Sequence, residues 1–318
     1  MSPSPTQIHN LELSDNETFP PLQNLSLSGY KIQSEEQVWR DKFPWQELRS
    51  LSLGVQDNPG FLELATGRLQ GLTEFKITSY GSPNATEVTE LDNFVSSFHN
   101  LESLTAKGTV PSLNAVAHHP NLRHLCLHAI EKPHVQRKTL DAKQIDDLNR
   151  LYPDLTSLEI DLDPDGTWPY DSIDSIAKGF KNLRQLSIHV GLGIARLRNE
   201  PIKPGAKDIF AFELTESTTK DFARHFFEYR GPSVLERITL ETGEPLRWFP
   251  QWQPKYAELE DESAKTVVVY PPLRSGDEPR VNMEETSLVW IAREIELRID
   301  YRFSDSGPPR LSRAPRII

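Results

Sequence analysis

The chain has 318 residues and a formal charge of −11, with 37% apolar residues. An acidic chain without a large basic stripe argues against non-specific nucleic-acid binding, which rests on neutralising phosphates. Its one cysteine, Cys126, excludes an intramolecular disulfide framework and fits a reducing compartment.

The first residues, MSPSPTQIHN, carry neither the basic segment nor the apolar segment of a secretory signal. The longest strongly apolar run, TVVVY from Thr266 to Tyr270, is far too short to span a bilayer. The expectation is a soluble intracellular protein, cytoplasmic or nuclear, with no membrane contact. The sequons at Asn16, Asn24 and Asn84 then read as chance matches.

Along the chain one phrase recurs: an aromatic residue or proline, a turn residue, then Leu-x-x-Leu-x-Leu. It reads FPPLQNLSL, FPWQELRSLSL, LQGLTEFKI, FHNLESLTA, HPNLRHLCL, YPDLTSLEI, FKNLRQLSI and GPSVLERITL. The first apolar positions are Leu22, Leu48, Leu72, Leu101, Leu122, Leu155, Leu183 and Leu235, spaced by 26, 24, 29, 21, 33, 28 and 52 residues. A ninth copy, with Ile8, Leu11 and Leu13, precedes them. Leucine-rich repeats run to roughly 20–29 residues, each with one strand and one helix or helical turn. The spacings of 33 and 52 imply insertions.

Side chains alternate faces along a strand. The second and third leucines of each phrase, such as Leu125 and Leu127, should therefore enter the core, and their neighbours should line the opposite face. One repeat cannot bury its leucines alone, so neighbouring repeats stack into a parallel sheet with a shared core.

The linking segments read as helices. DNPGFLELATGRLQ places Asn58 as N-cap and Pro59 at the first helical position, with Phe61, Leu62, Leu64, Ala65 and Leu69 as the buried stripe. ATEVTELDNFVSSF carries Val88, Leu91, Phe94, Val95 and Phe98. TLDAKQIDDLNRLY carries Leu140, Ile145, Leu148 and Leu151, with an acid near its positive end. SIDSIAKGF and STTKDFARHFFEY complete the set.

The predicted fold is an α/β leucine-rich-repeat solenoid. It is an irregular horseshoe, with the parallel sheet on the concave face, helices on the convex face, and a C-terminal cap. The Asn or Cys usual after the last leucine is replaced by Gly, Tyr or Ser, so no full asparagine ladder is expected. Residues 1–244 are assigned to the solenoid, 245–303 to a capping segment and 304–318 to a flexible tail. In the cap, TVVVY reads as a strand, and SLVWIAREIELRIDYRF ends in strand-like alternation of Ile295, Leu297, Ile299 and Tyr301.

WRDKFPWQELRSLSLG (Trp39 to Gly54) and NPGFLELATGRLQGLTEFKI (Asn58 to Ile77) resemble the repeat region of the fungal F-box proteins. The resemblance covers about residues 1–245. It implies repeats that recruit substrates for a cullin-type ubiquitin ligase, whose adaptor docks on an N-terminal F-box. Here repeat phrasing begins at Ile8, and no F-box is seen ahead of it.

The phrase also predicts which side chains share the concave face. Three rows run across the strands, with neighbours about 4.8 Å apart. The candidate partner-binding residues are Lys107, His124, Cys126, His128, Glu159, Asp161, Gln185, His189, Arg237 and Glu241. They are expected as exposed polar residues on an interaction surface, with no catalytic role, metal or cofactor.

The stretch AHHPNLRHLCLHA (117–129) holds four histidines and Cys126. His118 and His119 fall at a helix end, where imidazolium suits the dipole. His124, Cys126 and His128 share the concave side. Together with Asp161 they define a remote alternative, a metal-dependent enzyme.

DLDPDG (161–166) begins like a calcium loop, but its twelfth position is Ser172. It reads instead as a turn whose acids cap the next helix. GLG at Gly191 to Gly193 lacks the third glycine of a dinucleotide fingerprint and reads as a turn. The segment Ile194 to Ser217 reads as a projecting loop.

The expected function is non-enzymatic protein binding through the concave face, in the service of ubiquitination. The alternative is a ligase-independent adaptor or scaffold.

Overall fold

A computed structural model describes residues 13–14, 16–28, 32, 35–54, 59–79, 85–131, 137–164, 166–191, 212–231, 233–243, 265–274 and 277–284. Among the described residues, ten strands form one sheet in strict chain order. They are β1 (Asn24–Ser28), β2 (Ser50–Gly54), β3 (Glu74–Thr78), β4 (Ser103–Lys107), β5 (His124–His128), β6 (Ser157–Leu162), β7 (Gln185–Val190), β8 (Arg237–Thr242), β9 (Lys265–Tyr270) and β10 (Arg280–Glu284). β1 to β8 run parallel; β9 and β10 form an antiparallel pair at the end.

The helices are α1 (Glu36–Lys42), α2 (Pro59–Ala65), α3 (Ala85–Ser96), α4 (Leu113–Val116), α5 (Ala142–Leu151), α6 (Tyr170–Lys178) and α7 (Glu216–Arg230). The molecule is thus α/β, with a mostly parallel sheet alternating with helices.

The leucine pattern makes the core. Leu51 and Leu53, Phe75 and Ile77, Leu104 and Ala106, Leu125 and Leu127, Leu158 and Ile160, Leu186 and Ile188, and Ile238 and Leu240 are all buried in one apolar cluster. The helices add Phe61, Phe94, Ile145, Ile173 and Phe222 from their inward stripes. Strand periodicity of two therefore meets helix periodicity of 3.6 on one side of the sheet. Among the described residues, no helix packs on the other side.

Stacking is uniform because the backbone enforces it. The carbonyl just before each strand accepts two N–H groups of the next repeat. Gln23 takes Arg49 and Ser50, Arg49 takes Thr73 and Glu74, and Thr73 takes Glu102 and Ser103. Glu102, Arg123, Thr156 and Arg184 continue the series. These bonds, mostly 2.8–3.1 Å, hold the repeats in register whatever side chains they carry.

The helix readings differ from the structure in detail. α2 ends at Ala65, and Asn58 lies outside the described residues. α5 opens on Asp141, which forms a capping box with Gln144. Leu151, expected in the buried stripe, is 45% exposed. Its turn comes last in the helix, where Tyr152 takes the core position instead and donates its hydroxyl to the Val116 carbonyl at 2.6 Å. Burial pushes the Tyr152 phenol up to about 12. A short helix, α1, was not anticipated, and α4 is the helix whose end the reading of His118 and His119 assumed.

The projecting loop is corrected at its near end. Phe212 and Leu214 are buried, Phe212 meets the Trp168 ring at 4.6 Å, and α7 already begins at Glu216. Apolar side chains beside an open core edge pack rather than project. Residues 194–211 lie outside the described residues, as do PLRWFPQWQPKY, SLVWIAREIELRIDYRF, the tail and the ninth copy's Ile8 and Leu11.

TVVVY is a strand, β9, with Val267 and Val269 in the core. Among the described residues, no helix is long and apolar enough to cross a membrane.

Candidate functional site on the open face of the sheet

The helix-free face presents three rows of side chains in the register that the phrase predicts. Ser103 pairs with His124, Thr105 with Cys126 and Lys107 with His128. Cys126 pairs with Glu159, and Asp161 with His189. Gln185 pairs with Arg237, and His189 with Glu241. All ten candidate residues lie on this face.

Their exposure is not what the sequence suggested. His124, Gln185 and Arg237 are exposed, and Lys107, Glu159 and Glu241 are half-buried. Cys126, His128, Asp161 and His189 are buried, which corrects the reading of these four as exposed surface. Two physical causes stand out. First, Arg137, from the inserted segment between β5 and α5, folds over the C-terminal ends of the strands. Second, the row's own charges attract one another and close together.

Arg137 ties the ends of β6 and β7 together. Its Nε donates to Asp163 Oδ1 at 2.6 Å and its Nη1 to Asp161 Oδ1 at 3.2 Å. Its Nη2 donates to the carbonyls of Leu162 (3.3 Å) and His189 (3.0 Å). The guanidinium side chain is 4% exposed. Burial works against its charge, but Asp161 and Asp163 outweigh this and hold its pKa above the ordinary arginine range.

Asp161 is fully occupied. Its Oδ1 also accepts from His128 Nδ1 at 2.6 Å, and its Oδ2 accepts the Ala129 N–H at 2.6 Å. The acids of DLDPDG therefore do not cap α6, whose N-cap is Pro169 with no side-chain bond. Asp161 and Asp163 neutralise Arg137 instead, and Asp165 lies outside the described residues. Gly191, the first glycine of GLG, follows from the same crowding, since a Cβ there would stand 2.3 Å from Asp163 Oδ1.

Above this layer the imidazoles of His128 and His189 stack, with centroids 3.7 Å apart and planes at 21°. His189 Nε2 donates to Glu159 Oε1 at 2.7 Å, and its Nδ1 lies 3.5 Å from Glu241 Oε2. Lys107 Nζ donates to the same Glu159 oxygen at 2.7 Å. Burial alone would raise Glu159, but the bonds from His189 and Lys107 win and hold it well below the usual carboxylate range. Burial, then the Glu159 carboxylate, push the Cys126 thiol far up, so it is no nucleophile at neutral pH.

His118 and His119 separate. His119 is fully buried, with Nε2 donating to the Val95 carbonyl at 2.9 Å and Nδ1 accepting the Leu101 N–H at 3.4 Å. Burial lowers it to about 4, so it is a neutral spacer between repeats. This corrects the imidazolium expected at a helix end; α4 has only four residues and a weak dipole to offer. Among the described residues, no group of three or more His, Cys, Asp or Glu side chains could hold a metal ion.

Arg137 was missed because it lies outside every repeat phrase. The one available signal was the long spacing of 33 between Leu122 and Leu155, with a cation inside it and two acids in the turn after β6. No protein-family model matches the chain, and no curated protein is similar enough to count as a relative.

Proposed function

We propose that the chain is a leucine-rich-repeat solenoid that binds another protein through the concave, helix-free face of its sheet, without catalysis. One observation carries the reading: eight parallel strands hold a common register and present polar side chains at alternate positions on a face that no described helix covers. The extended face of a stacked-repeat array suits a protein partner better than a small molecule. By the resemblance of its repeats to fungal F-box proteins, the bound protein is a substrate for a ubiquitin ligase, met inside the cell.

The buried cluster on β5 to β7 supports binding as a rigid platform rather than as the contact surface. The footprint then falls on the exposed first row, including His124, Gln185 and Arg237. Affinity purification of the full chain with mass spectrometry tests this. The wild type should recover a partner that His124→Asp/Gln185→Asp loses, while Tyr229→Ala, on the helical side, keeps it. Retention by all three proteins would sink the reading. Co-recovery of a cullin adaptor distinguishes the ligase role from that of a plain scaffold.

A further inference from the structure

The C-terminal end of the open face carries a feature that the centre lacks. Arg237 on β8, Tyr270 on β9 and Arg280 on β10 stand in one row. Arg280 is paired with Tyr270, and Arg237 lies one step beyond the Ile238–Val269 pair. The core-facing partners on these strands are Ile238, Val269 and Val281, which places the three side chains on the open face. The Arg280 guanidinium lies over the Tyr270 ring, 5.3 Å from its centroid.

Both arginines are exposed, and among the described residues neither side chain has a hydrogen bond or ion pair. Two arginines near this end are matched. Arg184 meets Glu236 at 3.0 Å, and Arg224 meets Asp221 at 3.1 Å. Two carboxylates of the same face are committed elsewhere, Glu159 to Lys107 and His189, and Glu241 to His189. Two strand spacings put the arginine backbones about 10 Å apart. Two unmatched guanidiniums at that separation repel each other unless an anion answers both.

We propose that this end of the face docks an acidic, Glu/Asp-rich peptide segment of the partner protein. Arg237 and Arg280 grip its carboxylates through charge-assisted hydrogen bonds, and Tyr270 is the platform on which the segment lies. The inference rests on the concave face being the binding face and names what is bound at one end of it. A carboxylate-bearing peptide fits better than nucleic acid. A polyphosphate backbone needs an extended basic track, and a chain of net charge −11 offers two arginines in this row.

The test uses the full chain with a fluorescein-labelled hexaglutamate peptide and its hexaglutamine counterpart, read by anisotropy at low and physiological salt. The hexaglutamate should bind and weaken with salt, and the hexaglutamine should not bind. Arg237→Ala/Arg280→Ala should raise the Kd about tenfold or more, whereas Arg224→Ala on the helical side leaves it unchanged. Both sites are exposed, so thermal melting should show the double variant folded like the wild type.

Absence of hexaglutamate binding, equal binding of the two peptides, or undiminished binding by the double variant overturns the proposal. So does tighter binding of a thymidine oligonucleotide through the same arginines. Failure here is separable from failure of the wider reading. If His124→Asp/Gln185→Asp loses the cellular partner but Arg237→Ala/Arg280→Ala does not, the concave face stands and the acidic-peptide end falls.

Discussion

Between β5 and β7 the polar row of the open face is answered from inside the molecule, whereas across β8 to β10 two arginines face solvent unanswered. The centre holds Arg137 against Asp161 and Asp163, His128 against Asp161, and Glu159 between Lys107 and His189. The end holds Arg237, Tyr270 and Arg280 with one cation–π contact. Both stretches look alike as sequence: charged residues at alternate positions of a strand. The difference teaches that a charged row is a binding surface only where its charges lack partners. A loop insertion decides where that is.

The largest expected effect separates the two regions by stability. Arg137→Met should leave Asp161 and Asp163 buried without a cation and cost about 3–5 kcal/mol, as read by urea unfolding. Arg237→Ala, by the same measurement, should stay within about 0.5 kcal/mol. Equal costs at the two positions would erase the contrast.

A smaller effect depends on pH. Glu159 has a folded pKa below its unfolded value of about 4.3, so its contribution is present above that pH and fades as pH falls below it. Glu159→Gln should therefore cost about 1.5–3 kcal/mol at pH 7 and much less at pH 3. A cost that did not shrink with acid would mean that the side chain acts by packing rather than by charge.

Smaller still is a reactivity difference. Cys126 lies beside Glu159, buried and protonated, so iodoacetamide at neutral pH should label it far more slowly in the folded than in the urea-unfolded chain. Arg137→Met should speed labelling if the clasp keeps the centre closed. Labelling at the unfolded rate in the wild type would show the centre open. The smallest expected effect is at the end of the face, where Arg237→Ala/Arg280→Ala should leave the melting temperature within about a degree or two.

Much of this was readable in the chain. The recurrence of Leu-x-x-Leu-x-Leu located eight strands and their register, because burial on one face of a strand is a period-two code. Phe94, Val95, Ile145 and Leu148 were placed correctly by helical spacing. The same code located all ten candidate residues on the open face, but it had no term for what covers them. Cys126, His128, Asp161 and His189 closed because charges of neighbouring strands meet and because Arg137, in an inserted segment outside every phrase, binds Asp161 and the His189 carbonyl. His119 looked like a ligand-type residue beside a helix end and is a neutral hydrogen-bonded link instead. Tyr270 and Arg280 escaped notice because they belong to strands with no leucine phrase.

By itself the sequence determined which side chains alternate inward and outward, and so the stack of strands and helices, since local periodicity is enough to choose a buried face. Only the tertiary structure decided which outward charges meet. Ion pairing depends on angstrom-scale separations between residues up to 52 positions apart, as Lys107 and Glu159 are, and nothing local to either one encodes that distance. The closed centre and the open arginines at the end are two outcomes of one repeated pattern, separated by where a single inserted segment happens to fold.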